Sequence, residues 1–403
     1  MTLPPLRMEL DFMPSPVQDR PGLLIRDPYH FSDATLVIPP VLVECLALFD
    51  GGHTDLDLRE YLVRRTGRLE VGEAQEHLIR TLSAAGFLQD GSFEALRAGR
   101  LQEFREAEKR VASQAGAAYP DEPGALSEEL ARCVREGAAA GSPSGAAIGL
   151  AAPHASPAGA WECYGAAYGT LDPGFRDRTC VILGTSHFGQ PDRFGLTRKN
   201  FVTPLGETVC DVGVVDALAR EAEPAVVMED YCHAVEHSIE FQVVFLQQLF
   251  GPAVRIVPIL CGSYARSIQD GGRPERDEGV RRFLAALGEL NAREGGRLLW
   301  VLGIDMAHMG RRYGDAFPAR AEAGLMQEVA ERDRRRIERI NQGDADGFWE
   351  LIRENQDDLK WCGAAPVYTF LRAAPQARGE LLRYGQWNID EFSVVTFAGM
   401  AFR

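Results

Sequence analysis

Residues 179–189 read TCVILGTSHFG. Cys180 to Leu183 is a short apolar run, Gly184 ends it, and Thr185, Ser186 and His187 follow at once. As a buried strand, this run delivers His187 to the C-terminal edge of a sheet, where open α/β folds place their ligands. Three further stretches end in the same way. Residues 148–154, IGLAAPH, end in His154, and residues 298–308, LLWVLGIDMAH, offer Asp305 and His308. Trp361-Cys362-Gly363 sets a thiol just before a helical pattern. The four stretches are expected to converge on one metal site, with His187 near its centre.

Outward from that stretch, apolar runs alternate with helical patterns. Strands are expected at 146–151, 180–183, 254–259, 298–302 and 392–402. Helices are expected at 123–140, 158–170, 211–221, 239–250, 278–293, 321–341, 345–355 and 364–373, with a loop at 141–145. The alternation predicts an α/β domain with a mostly parallel or mixed sheet covered by helices on both faces. Before it, residues 1–22 are Pro-rich and without period, and read as a leader arm. A short strand at 35–38 stops at Pro39-Pro40. Helical patterns follow at 41–49, 54–63 and 72–86, then a short β-ribbon at 86–90 and a charged linking helix at 93–112. The division expected is 1–110 for an N-terminal arm and small, mainly helical module with its linker, and 111–403 for the α/β domain.

The chain has 403 residues, 45% hydrophobic and 25% charged, with a net charge of −15. An acidic excess argues against a phosphate-backbone partner, so no nucleic acid is expected. The Arg-rich stretch 332–336 reads as a solvated helix face. No apolar run reaches the roughly 18–20 residues of a membrane span, and the N-terminus lacks a secretory pattern, so a cytoplasmic address without membrane association is expected. The eight cysteines include no C-x-x-C pair. Seven read as small reduced core residues. Cys362, at the mouth of a helix, has a local reason for thiolate character.

Imidazole suits Fe, Zn and Cu, which singles out His154 and His187 as a pair. Asp305 has two readings: ligand or orienting group for an imidazole, or N-cap of a helix. His308 can move protons near neutrality. His233-Ala-Val-Glu236-His237 matches H-x-x-E-H, which on a continuous helix would put both imidazoles on one face and suggest a zinc hydrolase. The preferred reading brings Glu236 and His237 into the main site, orienting its groups or touching substrate. Walker A, G-x-G-x-x-G and G-x-S-x-G patterns are absent.

From 115 to 403 the chain resembles the MEMO family, also called AmmeMemoRadiSam system protein B. The resemblance is carried in order by AGAAYP (115–120), GLAAPHA (149–155), VILGTSH (181–187), EHSIEFQVVFLQ (236–247), GIDMAHMGRRYGD (303–315) and WCGAAPV (361–367). It implies a fold like that of the LigB-like class III extradiol dioxygenases, which are non-haem iron enzymes. Matched by position, it implies His154, His187 and Cys362 as metal ligands, His308 in the place of an acid/base histidine, and Asp305 as its neighbour. Two imidazoles and a thiolate are a softer set than two imidazoles and a carboxylate, so Fe(II) is expected with Cu or Zn as competitors. The chain departs from the family at Ser156-Pro157, where a "PHAGY" block would continue, and at GIDMAHMG in place of "SSDFSHYG". The pocket wall therefore differs. The implied function is a metal-dependent redox or dioxygenase-like enzyme on a small-molecule or peptide substrate. The alternative is a non-catalytic peptide- or protein-binding module with a radical-SAM-system partner. Residues 24–92 loosely resemble the PqqD-like, winged-helix-like peptide-chaperone domains. A DNA-reading role would need basic residues on the third helix, which offers Arg80 alone.

Overall fold

The computed structural model describes residues 1–16, 19–137 and 147–403. They form two compact units, Met1–Ala107 and Glu108–Arg403.

In the first unit, strands Asp11–Pro14, Leu23–Arg26 and Thr35–Ile38 make an antiparallel meander. Helices Asp55–Thr66, Gly72–Ala84 and Gly91–Glu106 follow it. Thr54 starts the first of these with a capping box to Asp57. The N-terminal stretch is therefore not a patternless arm. Leu3 and Leu10 join the unit's core, and Asp11–Pro14 pairs in register with Leu23–Arg26. The ribbon expected at 86–90 is reduced to an antiparallel bridge between Leu88 and Leu6, with Arg7 N donating to Phe87 O and Gln89 N to Pro5 O. Phe87 and Leu88 are fully buried, and Asp90 accepts hydrogen bonds from Ser92 and Phe93 as the N-cap of the next helix. The linking helix ends at Glu106, and Lys109–Val111 is instead a strand pairing with Asn200–Thr203.

The second unit is built on a ten-stranded mixed sheet. At its centre Arg255–Cys261, Thr179–Thr185, Leu298–Gly303 and Gly149–Ala152 run parallel in that spatial order. Ser393–Phe402 continues the sheet antiparallel to Gly149–Ala152, and pairs in turn with His308–Gly310 and Gly379–Asp390. Both faces are covered. Val181 and Leu183 join the core that contains helices Glu278–Glu294 and Ala364–Ala373. Cys180 and Ile182 join the one that contains Pro157–Tyr168 and Glu240–Phe250. Alternate residues of a strand point to opposite faces, so a run buried on both faces has to be apolar throughout. Val181, Ile182 and Leu183 are all fully buried, each contributing about 1.5–3 kcal/mol.

Helix Leu325–Asn341 is solvated along one side, where Arg334 and Arg335 are exposed, but the 332–336 stretch also turns inward. Asp333 and Arg336 are buried, and Asp333 accepts from Trp361 Nε1 at 2.7 Å, Thr396 Oγ1 at 2.7 Å and Tyr384 Oη at 2.8 Å. The loop expected at 141–145, the last residues of the 123–140 helix and Ala146 lie outside the described residues. All eight cysteines are free. Among the described residues no helix is long and apolar enough to cross a membrane.

Arg7 is the buried keystone of the first unit. Its guanidinium meets Asp27 at 2.9 and 3.2 Å, donates to Gly86 O at 3.1 Å and lies 3.9 Å from the Phe93 ring centroid. Removing one member of a buried pair strands the other charge, at about 3–5 kcal/mol. Arg7→Ala is therefore expected to speed hydrogen exchange of amides across Met1–Ala107. Unchanged protection there would refute the assignment.

Candidate functional site

Strand register assembles the site. Gly303 lies opposite Ala152 on one side and Gly184 on the other. Two residues on from Ala152 comes His154, two from Gly303 comes Asp305, and three from Gly184 comes His187. Three adjacent parallel strands thus deliver these groups to one edge. Gly303 and Gly184 are small by necessity: a Cβ at Gly303 would sit 2.2 Å from Ser238 O, and one at Gly184 would sit 2.5 Å from Ser238 Oγ.

The His154 and His187 ring centroids are 5.0 Å apart, nearly perpendicular. His237 is the third imidazole. It stacks parallel to His187 at 5.1 Å and stands edge-on to His154 at 5.3 Å. One ring nitrogen from each lies within 4.8 Å of the other two. Cys362 Sγ approaches His154 Nε2 at 3.4 Å and Asp305 O at 3.5 Å.

The groups behind the rings orient them. His154 Nδ1 is 3.0 Å from Gly303 O, and a carbonyl only accepts, so Nδ1 carries the hydrogen and Nε2 the lone pair. His187 Nδ1 is 3.1 Å from both Glu236 oxygens, and His237 Nδ1 is 3.2 Å from Oε1. The same carboxylate accepts from the backbone N–H groups of His187, His237 and Ser238. Burial opposes the charge of Glu236, but His187 and these donors outweigh it and hold the carboxyl well below its usual range. Burial likewise opposes a charged His187, and Glu236 and Cys362 outweigh it, so its pKa is raised. Burial, with His187 adding to it, pushes His154 down to about 3. Burial pushes His237 down to about 4 against the pull of Glu236.

Asp305 accepts from the backbone N–H of His154 at 3.0 Å and of Ala155 at 3.2 Å. It caps no helix, because the strand His308–Gly310 follows. His308 holds Nδ1 at 3.0 Å from Met306 O and packs edge-on against Tyr313. Burial takes its pKa down to about 4, against the opposing field of Asp305. At Cys362, burial outweighs the pull of His187 and raises the thiol pKa. His233 stays outside the cluster. Its helix is the single turn Cys232–Val235, Glu236 is extended, and His233 Nε2 meets Gly195 O at 3.0 Å. His233 and His237 therefore share no helix face, and the three-residue zinc site on H-x-x-E-H is corrected.

Arg110 had no signal in the sequence, and Glu240 reads there only as an acid at a helix start. Arg110 is buried, its Nε 2.8 Å from His233 O and its Nη2 2.8 Å from Glu236 O. It pairs with Glu240, which also accepts from Ser113 N, Gln114 N and Tyr119 Oη. Arg110 thereby clamps the carbonyls on either side of the turn that aims the Glu236 carboxylate.

Fold and site together define an α/β protein that gathers histidines and one cysteine at the C-terminal edge of its sheet. A family profile described as Memo-like protein matches residues 110–401, and the chain belongs to that family. A MEMO1 family protein of Aquifex aeolicus is 26% identical over 387 residues, 94% of this chain and 95% of that one. One of Desulfurococcus amylolyticus is 27% identical over 307 residues, 73% of this chain and 99% of its own. One of Thermococcus kodakarensis is 33% identical over 237 residues, 56% of this chain and 76% of its own.

Arg110→Met strands the Glu240 carboxylate and should lower the stability of the second unit by about 3–5 kcal/mol, read as a fall in denaturant midpoint. The pH dependence has a definite sign. Burial raises the Glu240 pKa, but Arg110 and the other donors outweigh it and hold it below the ordinary 4.5. Its stabilisation is present above that value and lost as pH falls through the folded value. Wild type should lose stability below about pH 4.5, and Arg110→Met should lose less over the same window. Equal acid sensitivity would show that the pair does not couple.

Proposed function

We propose that His154, His187 and Cys362, with His237 as a neighbouring fourth donor, hold a divalent metal ion. Fe(II) is foremost and Cu or Zn compete. The protein would then be a metal-dependent redox or dioxygenase-like enzyme acting on a small molecule. The observation that carries this is the set of three imidazole nitrogens within 4.8 Å of one another, with each Nδ1 taken by a carbonyl or carboxylate. That is how metal-binding histidines are oriented. The donor set fits a metal by its geometry: Nδ1 of each imidazole is turned to a carbonyl or carboxylate, and a sulfur stands 3.4 Å from His154 Nε2. The resemblance to LigB-like dioxygenases supports the same reading.

A bound ion would supply Lewis acidity and a redox couple. Glu236 fixes the His187 and His237 rings, and Asp305 fixes the backbone that carries His154. His308, neutral at pH 7, is placed to accept a proton at Nε2. The second reading is a non-catalytic peptide- or protein-binding module serving a radical-SAM system. It is favoured by the separate compact unit Met1–Ala107, which would present the peptide.

Metal analysis of full-length protein purified without oxygen tests the first reading. About one ion per chain is expected in wild type, with a large loss in His187→Ala and Cys362→Ala and retention in His233→Ala. Metal-free wild type, with Cys362→Ala indistinguishable from it in metal uptake, would overturn the reading and leave the binding module.

A further inference from the structure

Outside the donor cluster, an open cavity of about 360 Å³ is lined by Gly271, Gly272, Arg273, Glu275, Arg276 and Arg353. Its size falls in the roughly 300–1,000 Å³ range of small-molecule sites. Three of these six residues are arginines, in a chain whose net charge is −15. The loop that carries the glycines is fixed from inside. Gly272 N donates to Ser267 O at 2.9 Å, and Gly272 O accepts from Trp349 Nε1 at 2.8 Å. The glycines let two guanidiniums lie against this loop. A Cβ at Gly272 would sit 2.7 Å from Arg276 Nη1 and 2.9 Å from its Cδ, and one at Gly271 would sit 3.9 Å from Arg353 Nη2. Two cationic groups therefore flank successive residues of one rigid turn.

The carboxylates around the cavity are already occupied. Both Glu275 oxygens meet Tyr368 Oη at 2.8 Å, and Oε1 meets Arg372 Nε at 2.7 Å. Asp346 Oδ1 is shared by Arg273 Nη1 at 2.9 Å and Arg372 Nη2 at 2.6 Å. Glu350 meets Arg353 Nη1 at 3.4 Å with most of its own side chain in solvent, and an exposed pair of that kind holds weakly. Asp270 and Asp277 border the loop outside the wall, and Asp277 caps the helix Glu278–Glu294 and faces Arg193. Arg276 is exposed. Its backbone N–H donates to Arg273 O, but among the described residues its guanidinium has no hydrogen bond or ion pair. The guanidiniums of Arg273, Arg276, Arg353 and Arg372 thus outnumber the carboxylates of Glu275, Asp346 and Glu350. Like charges gathered in this way repel, and an anion in the cavity relieves the repulsion.

We propose that this cavity binds a phosphate group, free or carried as the monoester of a small metabolite, held between Arg276 and Arg353 with Arg273 beside them. Guanidinium forks match phosphate oxygens in pairs. Arg273 and Arg276 come from the loop, and Arg353 from the end of the helix Ala345–Arg353. Forks from two elements suit a tetrahedral group whose oxygens point in several directions, whereas a planar carboxylate is satisfied by a single fork. The site is independent of the metal reading, since none of its residues belongs to the donor cluster.

The test titrates full-length protein with inorganic phosphate and with glycerol 3-phosphate at constant ionic strength, read by calorimetry and by thermal unfolding, with malonate as the planar carboxylate comparator. Both phosphates are expected to bind saturably and to raise the unfolding midpoint, because a ligand that binds only the folded state stabilises it. Their affinity should fall as salt rises. Arg276→Gln should weaken binding about tenfold and leave the midpoint of ligand-free protein where it was, since that guanidinium has no partner to lose. Arg276→Gln combined with Arg353→Gln should abolish binding, and Arg335→Gln, on the exposed side of Leu325–Asn341, should change nothing. Glycerol 3-phosphate bound more tightly than phosphate identifies an ester as the occupant, and equal affinity identifies free phosphate. No saturable binding of either, or binding that persists in the double variant, overturns the site. Malonate bound as tightly as phosphate overturns the phosphate assignment.

Discussion

Everything at the site depends on the parallel register of three strands. Leu298–Gly303 lies between Gly149–Ala152 and Thr179–Thr185, with Gly303 level with Ala152 and with Gly184. Side chains in a strand alternate between faces, so a slip of one residue would exchange the two cores and turn each strand end away from its neighbours. Burial on both faces makes such a slip costly, because each strand is packed against helices above and below. The same apolar burial that stabilises the sheet therefore sets the positions of His154, His187 and Asp305.

Register alone leaves the rings free to turn, and charge completes the arrangement. Glu236 holds two imidazoles and three backbone N–H groups. Its own peptide is gripped through its carbonyl by Arg110, and Arg110 by Glu240. Each buried charge in this relay has an opposite partner, which is the condition under which buried ions persist. The relay runs from the strand Lys109–Val111 to the donor cluster, so the start of the second unit belongs to the support of its site.

The parts of the fold legible in the sequence were those with a strong one-dimensional signal. Thr179–Thr185 and Leu298–Gly303 are uninterrupted apolar runs, and Glu278–Glu294 has an apolar stripe behind the N-cap Asp277. Gly379–Asp390 was not visible, because it is half-buried along its length and shows no alternation. Phe194–Leu196 and Val226–Met228 are too short to display a period. At the site, His154 and His187 stood out because each closes a strand. His237 was placed beside the cluster, not within it, since nothing in HAVEH shows that the helix breaks at Glu236. Arg110 and Asp333 sit among ordinary charged residues, and their burial comes from tertiary packing that local pattern does not encode.

The approach to Cys362 has an uncommon backbone. Asn355, Gln356 and Asp357 take positive φ in succession, and Lys360 does so again. Each such non-glycine residue costs of order 1–3 kcal/mol, though Asn and Asp tolerate the region best. The turn is fastened by the two oxygens of Asp357 on Trp361 N and by Lys360 on Asp315. Its consequence is a spring-like tension. Those fasteners act beside the bonds of Trp361 Nε1 to Asp333 and of Cys362 Sγ to Asp305 O, and together they keep the segment out of ordinary right-handed geometry. Glycine at Gln356 would relieve that tension at one of the four positions and leave the other three.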